Sequence, residues 1–293
     1  MTRVLVTGAT GHIGSQVVAQ LAGSGCRIRA LTRHPESARL PPDVDVVRGD
    51  LSRPETLDAS LDDVDAVFLV WVAPPAAAAQ AIERIAASAG RIVFLSAPIH
   101  TPHPFFQQPN PIRAVHARIE ELIDASGRQW TVLRPHAFAL NARDWWARQI
   151  QSGDVVRWFH GDAATAPVHE HDVAAVAVRA LCEDGHARQE YVLTGPESLT
   201  QREQVAIIGD AIGRRLRFEE LSPDAARQQL LAAGWPPAIL DMLMGAYAAS
   251  VGMPAWQTST VADVTGTPAR SFRMWATDHV ADFMSRGAAP ASP

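Results

Sequence analysis

Residues 6–14 read Val6-Thr7-Gly8-Ala9-Thr10-Gly11-His12-Ile13-Gly14 and follow a short apolar run at 4–6. This glycine spacing stands between a predicted strand and an amphipathic helix, the setting in which it predicts a dinucleotide site. The first glycine permits a tight turn, the second lets the backbone approach a pyrophosphate, and the third lets the helix pack on the strand. The helix N-terminus offers free N–H groups to the phosphates. We therefore expect an NAD(P) site formed by Gly8, Thr10, Gly11, His12, Ile13 and Gly14.

Strand and helix patterns alternate through the first 135 residues. Continuous apolar runs such as 67–70 and 92–95 suit parallel strands covered on both faces. The predicted strands are 3–7, 27–31, 44–47, 66–70, 91–95 and 130–133. The predicted helices are 14–22, 52–60, 76–89 and 112–125, and Ser52, Pro54 and Glu55 predict a capped start for the second. This alternation predicts an α/β fold with a doubly wound parallel Rossmann sheet.

The pattern loosens after Pro135 and predicts a smaller C-terminal α/β lobe for the substrate. Helices are expected at 141–146, 172–181, 223–250 with a break at 234–237, and 278–284; strands are expected at 155–159, 191–194 and 217–221. Thr200 and Glu203 form a capping box that opens one more helix, and 287–293 is expected to be a frayed tail. We predict a cofactor-binding domain at 1–140, with 160–182 packing back onto it, and a mainly substrate-binding lobe at 141–293.

Composition excludes several classes of protein. The chain has 293 residues, a net charge of -5 without charged blocks, and 47% apolar residues, which indicates a globular protein that does not bind nucleic acid. The two cysteines, Cys26 and Cys182, are isolated in sequence and fit a reducing compartment. No signal peptide is predicted, because the first apolar run, 4–6, is too short for one. No membrane span is predicted, because the longest apolar run, 66–72, is broken by Pro74-Pro75. We expect a cytoplasmic monomer or homodimer.

The second predicted strand bears on the choice of cofactor, because it ends in Thr32-Arg33. An acidic residue near this point binds the ribose of NAD, whereas arginine accommodates the 2′-phosphate of NADP. Arg33 therefore favours NADP(H) and leaves NAD(H) possible; the alternative is a solvated surface arginine. Asp50 is expected either to accept from the adenine amino group or to cap the helix beside Ser52. The other expected cofactor contacts are Leu51, Val70, Trp71, Ser96, His116 and Pro135.

Further motifs are spread over nearly the whole chain. They are Gly49-Asp50-Leu51, Phe94-Leu95-Ser96, His116-x3-Glu120, Ala125-Ser126-Gly127, Thr131-Val132-Leu133-Arg134-Pro135, Asn141, His171-Asp172-Val173-Ala174 and Thr265-Gly266-Thr267-Pro268. With the glycine loop, they resemble the NmrA-like, atypical branch of the short-chain dehydrogenase/reductase superfamily. The resemblance implies an NADP-binding lobe and a small lobe that closes over the nicotinamide. It also implies a quinone or related reductase, a tailoring enzyme of aromatic polyketides, or a regulator that only senses the cofactor.

The chain departs from the superfamily at the catalytic residues. A standard member donates a proton from a tyrosine assisted by a lysine four residues later, but these positions fall on Ile112 and His116 here. All 26 basic residues are arginine, so lysine-assisted proton transfer is impossible. Reducing a ketone leaves an alkoxide, which needs a positioned acid. Reducing a quinone leaves a phenolate, a far weaker base, so quinone-like acceptors remain open.

Histidines are the candidate proton donors, since imidazole titrates near neutrality. We expect His116, His136 and Ser96 in catalytic roles, although each has a structural or ribose-binding alternative. The loop 98–111 holds five prolines and borders the expected substrate site. Indole stacking suits a flat polycyclic ligand. The expected substrate contacts are His100, Phe138, Asn141, Trp145 and Trp158. His169 and His171 lack a third ligand, so no metal is predicted.

Three functions therefore remain open. The leading one is an NAD(P)H-dependent oxidoreductase of quinone-like or polycyclic aromatic substrates that works without the usual tyrosine and lysine. The first alternative is a monooxygenase-type tailoring enzyme of aromatic polyketides. The second is a non-catalytic, NADP-sensing regulator that binds a partner protein, which the missing tyrosine and lysine favour.

Overall fold

The computed structural model describes residues 2–284, and the predicted tail lies outside them. The strands are β1 (Arg3–Val6), β2 (Arg27–Thr32), β3 (Asp45–Arg48), β4 (Ala66–Val70), β5 (Arg91–Leu95), β6 (Gln129–Pro135), β7 (Val155–Trp158), β8 (Ala164–Thr165), β9 (Gln189–Leu193), β10 (Leu199–Thr200) and β11 (Arg217–Glu220). The helices are α1 (His12–Leu21), α2 (Asp58–Leu61), α3 (Ala78–Ser88), α4 (Pro111–Ala125), α5 (Leu140–Ser152), α6 (Glu170–Cys182), α7 (Gln201–Ala211), α8 (Pro223–Ala232), α9 (Pro237–Ala248), α10 (Thr260–Thr265), α11 (Phe272–Asp278) and α12 (Val280–Phe283). Short 3-10 helices occur at Pro35–Ser37, Pro54–Thr56, Pro75–Ala77 and Pro104–Phe106.

Seven parallel strands form the central sheet in the order β3-β2-β1-β4-β5-β6-β9. This confirms the predicted doubly wound Rossmann fold. The strand order reverses at β1, which pairs with β2 on one side and β4 on the other. Ligands of such sheets bind outside the carboxyl ends of the strands at this reversal. The glycine loop begins at that point, directly after β1.

Helices cover both faces of the sheet. Val4 and Val6 of β1 belong to one apolar cluster and Leu5 to another, because successive side chains of a strand point to opposite faces. Helices α1 and α6 contribute to the first cluster, and α3 and α4 to the second. Each fully buried aliphatic side chain stabilises the fold by about 1.5–3 kcal/mol. The burial on both faces explains why the strands read as continuous apolar runs.

A third apolar cluster lies in the C-terminal part and includes Trp146 of α5, Phe159 after β7 and Trp275 of α11. Two small sheets accompany it, a parallel pair of β7 with β11 and an antiparallel pair of β8 with β10. Helix α6 belongs instead to the cluster around α1. The division of the chain near residue 140 stays a prediction. Within residues 2–284, no helix is both long and apolar enough to cross a bilayer.

The helix predicted at 52–60 is wrong. Residues Pro54–Thr56 form a 3-10 turn, and α2 has only four residues without a side-chain cap. The Thr56 hydroxyl accepts from the N–H of Asp50 at 3.0 Å and donates to the carbonyl of Arg53 at 2.8 Å, which holds the chain in a turn. A local side-chain bond of this kind competes with helix formation. Ser52 is therefore not a helix cap.

Other boundaries in the C-terminal part also differ from the expectation. Helix α5 runs for 13 residues, well beyond the predicted 141–146, while α10 and α11 were not predicted. The capping box at α7 is confirmed, since the Thr200 hydroxyl accepts from the N–H of Glu203 at 3.2 Å and Glu203 accepts from the N–H of Thr200 at 2.8 Å. Cys26 and Cys182, isolated in sequence, bring their sulfur atoms within 3.3 Å of each other, and both are free thiols.

Candidate active site

The glycine loop forms a cradle that only small residues can build. Gly8 has a φ of +62°, which L side chains rarely adopt, and its carbonyl accepts from the N–H of Gly11 at 2.9 Å. A Cβ on Gly14 would lie 2.1 Å from the carbonyl oxygen of Gly8. The Thr7 hydroxyl accepts from the N–H of Val70 at 2.7 Å and joins β1 to β4 beside the loop. The loop backbone therefore lies directly against the start of α1.

The start of α1 fits a pyrophosphate. Thr10, Gly11 and His12 are exposed, whereas Ile13 and Gly14 are buried. Gly11 is the N-cap and offers no side chain, so no side-chain bond satisfies the first N–H groups of the helix. Uncapped amides and the helix dipole favour an anion at this place. Arg143 of α5 also reaches this place, with its Nη2 2.9 Å from His12 Nε2, although the same guanidinium pairs with Asp144 at 2.9 Å; no sequence motif had marked this residue.

The expected adenine end of the site combines two features. Arg33 follows β2 and is exposed, as a contact for a 2′-phosphate requires. The Asp50 carboxylate accepts from the N–H of Ser52 at 2.9 Å. That backbone bond, with the charges of Arg33 and Arg53, lowers the pKa of Asp50. Asp50 thus closes its own turn and stays ionised, while Leu51 beside it is buried.

Two buried nitrogen atoms at the carboxyl edge of the sheet lack hydrogen-bond partners among the described residues. They are Trp71 Nε1, after β4, and His116 Nδ1, on α4. Buried polar atoms are normally paired, and an unpaired atom beside the expected cofactor site is available to a ligand group. Three indole nitrogens in the core, those of Trp146, Trp158 and Trp275, also lack partners within residues 2–284, so it is their position at this edge that distinguishes Trp71 and His116. Both residues were predicted to contact the cofactor. Together with the glycine cradle, they fit a bound dinucleotide.

Ser96, predicted to contact the cofactor and to act in catalysis, has a protein partner. Its hydroxyl donates to Glu120. Glu120 also accepts from Arg134 at 2.9 Å, and Arg134 pairs with Glu190 at the same distance. Burial raises the pKa of Glu120 despite these bonds. Ser96 is therefore part of a buried network that links β5, α4 and β6.

Both candidate catalytic histidines are neutral at neutral pH. Burial lowers the pKa of His116 to about 4. Burial and the nearby His103 lower the pKa of His136 to about 3. The His116 ring packs edge-on against Phe94, with centroids 5.5 Å apart, and His136 Nε2 lies 3.0 Å from the Thr101 hydroxyl. A neutral imidazole is a poor general acid, which favours water over histidine as the proton donor. The catalytic roles of His116 and His136 stay predictions.

A cavity of about 170 Å³ lies beside His136. The loop 98–111, α5 and α9 surround it with aromatic and amide side chains. The wall comprises Pro98, Phe105, Phe106, Gln108, Asn110, Arg113, His136, Ala137, Asn141, Trp145, Met242, Leu243, Ala246 and Tyr247. Of the five predicted substrate residues, Asn141 and Trp145 belong to this wall.

The other three predicted substrate residues lie elsewhere. His100 is exposed, Phe138 packs between two apolar clusters, and Trp158 is buried behind Trp145, with stacked rings 5.6 Å apart. Pro135, predicted at the cofactor, is buried at the end of β6. The structure thus separates the indoles into Trp145 at the cavity and Trp158 in the core.

Sequence reasoning missed Tyr247 and Arg113, which both line the cavity. Tyr247 lies far downstream of the glycine loop, yet α9 brings it against Phe105, with ring centroids 5.1 Å apart. Burial raises its pKa above the usual value, and the chain has no lysine to lower it. Position 112, where the superfamily has tyrosine, carries an isoleucine that is 43% exposed.

The two histidines considered for a metal bind protein groups instead. His169 Nε2 lies 3.3 Å from a carboxylate oxygen of Asp278, and its Nδ1 accepts from the N–H of His171 at 3.1 Å. His171 Nε2 lies 3.4 Å from the guanidinium of Arg270. In the part of the chain that the structure describes, no group of three or more potential ligands is arranged to hold a metal ion. That no metal is required stays a prediction.

Known proteins match this chain over nearly its whole length. The reductase of (4-alkanoyl-5-oxo-2,5-dihydrofuran-3-yl)methyl phosphate from Streptomyces griseus is 40% identical, over 96% of this chain and 99% of its own length. An NAD(P)H azoreductase from Xenophilus azovorans is 33% identical over the same shares. The structure of an NADPH-dependent quinone oxidoreductase from Escherichia coli superimposes with a TM-score of 0.77 at 22% identity, over 94% of this chain and 98% of its own.

The fold and the site thus define an NAD(P)H-dependent oxidoreductase built on a Rossmann domain. The sequence profile described as NAD(P)H-binding matches residues 8–184, and the chain belongs to this family. The match begins at the first glycine of the loop. The match confirms the NAD(P)-binding family that the motifs indicate, and the superposition confirms the fold.

Proposed function

We propose that the protein reduces a conjugated, electron-poor acceptor, such as a quinone or an α,β-unsaturated carbonyl compound, with NADPH. The observation that carries this proposal is the weakness of the acids around the cavity. His136 is neutral at neutral pH, and the raised pKa of Tyr247 makes its phenol a poor donor. Among the described lining residues, there is no carboxylic acid. Protonation of an alkoxide is assisted by a positioned acid, and the acids here are weak, whereas a phenolate or enolate needs only water.

The chain's own residues prepare this reaction. The uncapped amides of α1 would hold the pyrophosphate, Arg33 the 2′-phosphate, and His116 and Trp71 the nicotinamide nucleoside. When bound, the nicotinamide supplies a hydride. Phe106 and Trp145 present flat apolar surfaces to a planar acceptor and exclude water from it. The reduced acceptor then takes one proton from water, so the product gains two hydrogens in total.

The relatives support an acceptor of this kind. Their names specify an azo compound, a quinone and an unsaturated lactone that carries a methyl phosphate. These three share a polarised π system conjugated with an electron-withdrawing group. The same names favour a reductase over the monooxygenase and regulator alternatives. A polycyclic substrate stays part of the proposal because the indole of Trp145 offers the cavity a flat apolar surface, which the stacked ring of Trp158 supports from behind.

Anaerobic stopped-flow measurement of NADPH absorbance tests the proposal. We expect turnover of 1,4-naphthoquinone and none of acetophenone, a simple aromatic ketone. We also expect kcat for the quinone to change less than about threefold between pH 5.5 and 8, since both site histidines stay neutral there. Equal turnover of the ketone, or no turnover of any quinone, would overturn the proposal. Incorporation of oxygen from labelled dioxygen into a product would support the monooxygenase alternative instead.

A further inference from the structure

We propose that the substrate carries an oxyanion, a phosphate ester, sulfonate or carboxylate, and that Arg113 binds it inside the cavity. This inference rests on the proposed function and specifies the substrate class further. Arg113 gives the cavity wall a positive charge that has no counter-charge among the described lining residues.

Arg113 lies in the first turn of α4 and lines the cavity. Its Nη2 donates to the carbonyl of Phe106. Its Nε is buried and has no hydrogen-bond partner among residues 2–284. Within the same residues, no carboxylate lies within salt-bridge distance of the guanidinium. A guanidinium presents five donors, so most of its capacity remains for a ligand.

The surroundings do not compensate this charge. Arg134, which is buried, contacts both Glu120 and Glu190 at 2.9 Å, whereas the half-buried Arg113 has no such partner in the described part of the chain. Asp241 lines a neighbouring groove that shares Gln108, Asn110 and Met242 with the cavity, and it pairs with Arg227 at 3.1 Å. Withdrawing a cation from water without a partner is costly, so the free protein gains when an anion enters.

Two amides complete the binding surface. Asn110 uses its Oδ1 to accept from the N–H groups of Ile112, at 2.8 Å, and Arg113, at 3.4 Å, which leaves its amide NH₂ as a donor. Gln108 also lines the cavity and donates to the carbonyl of Pro104 at 3.2 Å. A guanidinium beside amide donors suits the several oxygens of a phosphate, sulfonate or carboxylate.

A pair of quinones with and without an anionic group tests the proposal. We expect 1,2-naphthoquinone-4-sulfonate to have a kcat/KM at least about tenfold above that of 1,2-naphthoquinone. Arg113→Gln should lower kcat/KM for the sulfonate by about 10–100-fold, as for a lost charged hydrogen bond, and change that for the neutral quinone less than about threefold. For the sulfonate, the kcat/KM of Arg113→Lys should lie between those of the original protein and of Arg113→Gln. Arg128→Gln is the matched control, since it removes an exposed arginine beyond the opposite end of α4.

A binding measurement separates this inference from the proposed function. We expect phenyl phosphate to change the tryptophan fluorescence of the NADPH complex saturably, because Trp145 lines the cavity, and Arg113→Gln to abolish the change. Benzoate and phenol in parallel distinguish phosphate from carboxylate and from a neutral ring. No quinone turnover with saturable phenyl phosphate binding would remove only the proposed function. Equal effects of Arg113→Gln on both quinones, or no saturable binding of either anion, would overturn the inference.

Discussion

The role of each arginine in this chain depends on the groups that surround its charge. Arg134 is only 2% exposed and contacts two carboxylates, so its charge is compensated within the protein and holds β6 to α4. Arg113 is uncompensated and faces the cavity. Arg33 is exposed after β2, where it helps to keep Asp50 ionised. Since the chain has no lysine, partners rather than residue type distinguish a structural cation from a ligand-binding one.

Arg33 is the residue on which the preference for NADPH should depend. We expect Arg33→Ser to raise KM for NADPH roughly tenfold, the effect of losing about 1.4 kcal/mol of charge-assisted binding to a 2′-phosphate. KM for NADH should stay within a factor of two, because NADH has no such phosphate. Steady-state kinetics with both cofactors measures this. Arg215→Ser, an exposed arginine between α7 and β11, should change neither, and an equal rise of KM for both cofactors would contradict the prediction.

At the scale of elements, α1 can approach the end of β1 only because glycines, which have no side chain, stand in the loop between them and in the first turn of the helix. The helix begins one residue after its N-cap, Gly11, and its third residue meets the carbonyl of Gly8. Neither Gly14 nor the Gly8 carbonyl can move away without shifting the loop, because the hydrogen bond between Thr7 and Val70 joins β1 to β4 beside it. The close approach of α1 to the Gly8 carbonyl positions the phosphate-binding amides. The same approach leaves no room for a Cβ on Gly14.

Gly14→Ala should therefore impair binding and folding together. We expect the free energy of unfolding to fall by about 2–3 kcal/mol, as in overpacked interiors, and Kd for NADPH to rise at least about tenfold as the loop moves. Urea unfolding and calorimetric titration measure the two effects. Gly23→Ala is the control, since a Cβ there meets nothing within 4 Å; its free energy of unfolding should stay within about 1 kcal/mol of the original. An unchanged Kd in Gly14→Ala would refute the argument.

The whole molecule shows what the sequence can and cannot predict. The six strands before residue 136 and the glycine loop were predicted correctly, because apolar runs and a local motif encode them. The cavity was predicted only in part, since its wall joins residues from 98 to 247 and no local pattern states which distant residues meet. Tyr247 and Arg143 reach the site through α9 and α5, and Cys26 meets Cys182 across the fold. The prediction of a helix at 52–60 was wrong because the Thr56 hydroxyl bonds to nearby backbone groups and holds this segment in a turn.

The stability of the folded protein depends on pH, and the sign of this dependence follows from the pKa shifts of its ionisable groups. The folded-state pKa values of His116 and His136, about 4 and about 3, lie below the unfolded value of about 6.5. Both rings therefore stabilise the fold in their neutral form, and this stability is lost as the pH falls below 6.5. Glu170 has a lowered pKa because bonds to His169 and His279 prevail over burial, so its contribution is lost below about 4.5. His279 has a raised pKa because its bonds to Glu170 and Asp282 outweigh burial, so its contribution is lost as the pH rises.

The net result should be a free energy of unfolding that decreases between pH 7 and pH 5, where the two neutral rings dominate. Each ring should contribute a loss on the order of 2 kcal/mol over that range. We expect His136→Asn, which keeps a polar group beside Thr101, to remove about half of this decrease, measured by urea unfolding at both pH values. His100→Asn replaces an exposed histidine and should leave the decrease unchanged. If the His136→Asn protein loses as much stability as the original between pH 7 and pH 5, the His136 ring is protonated in the folded protein at pH 5.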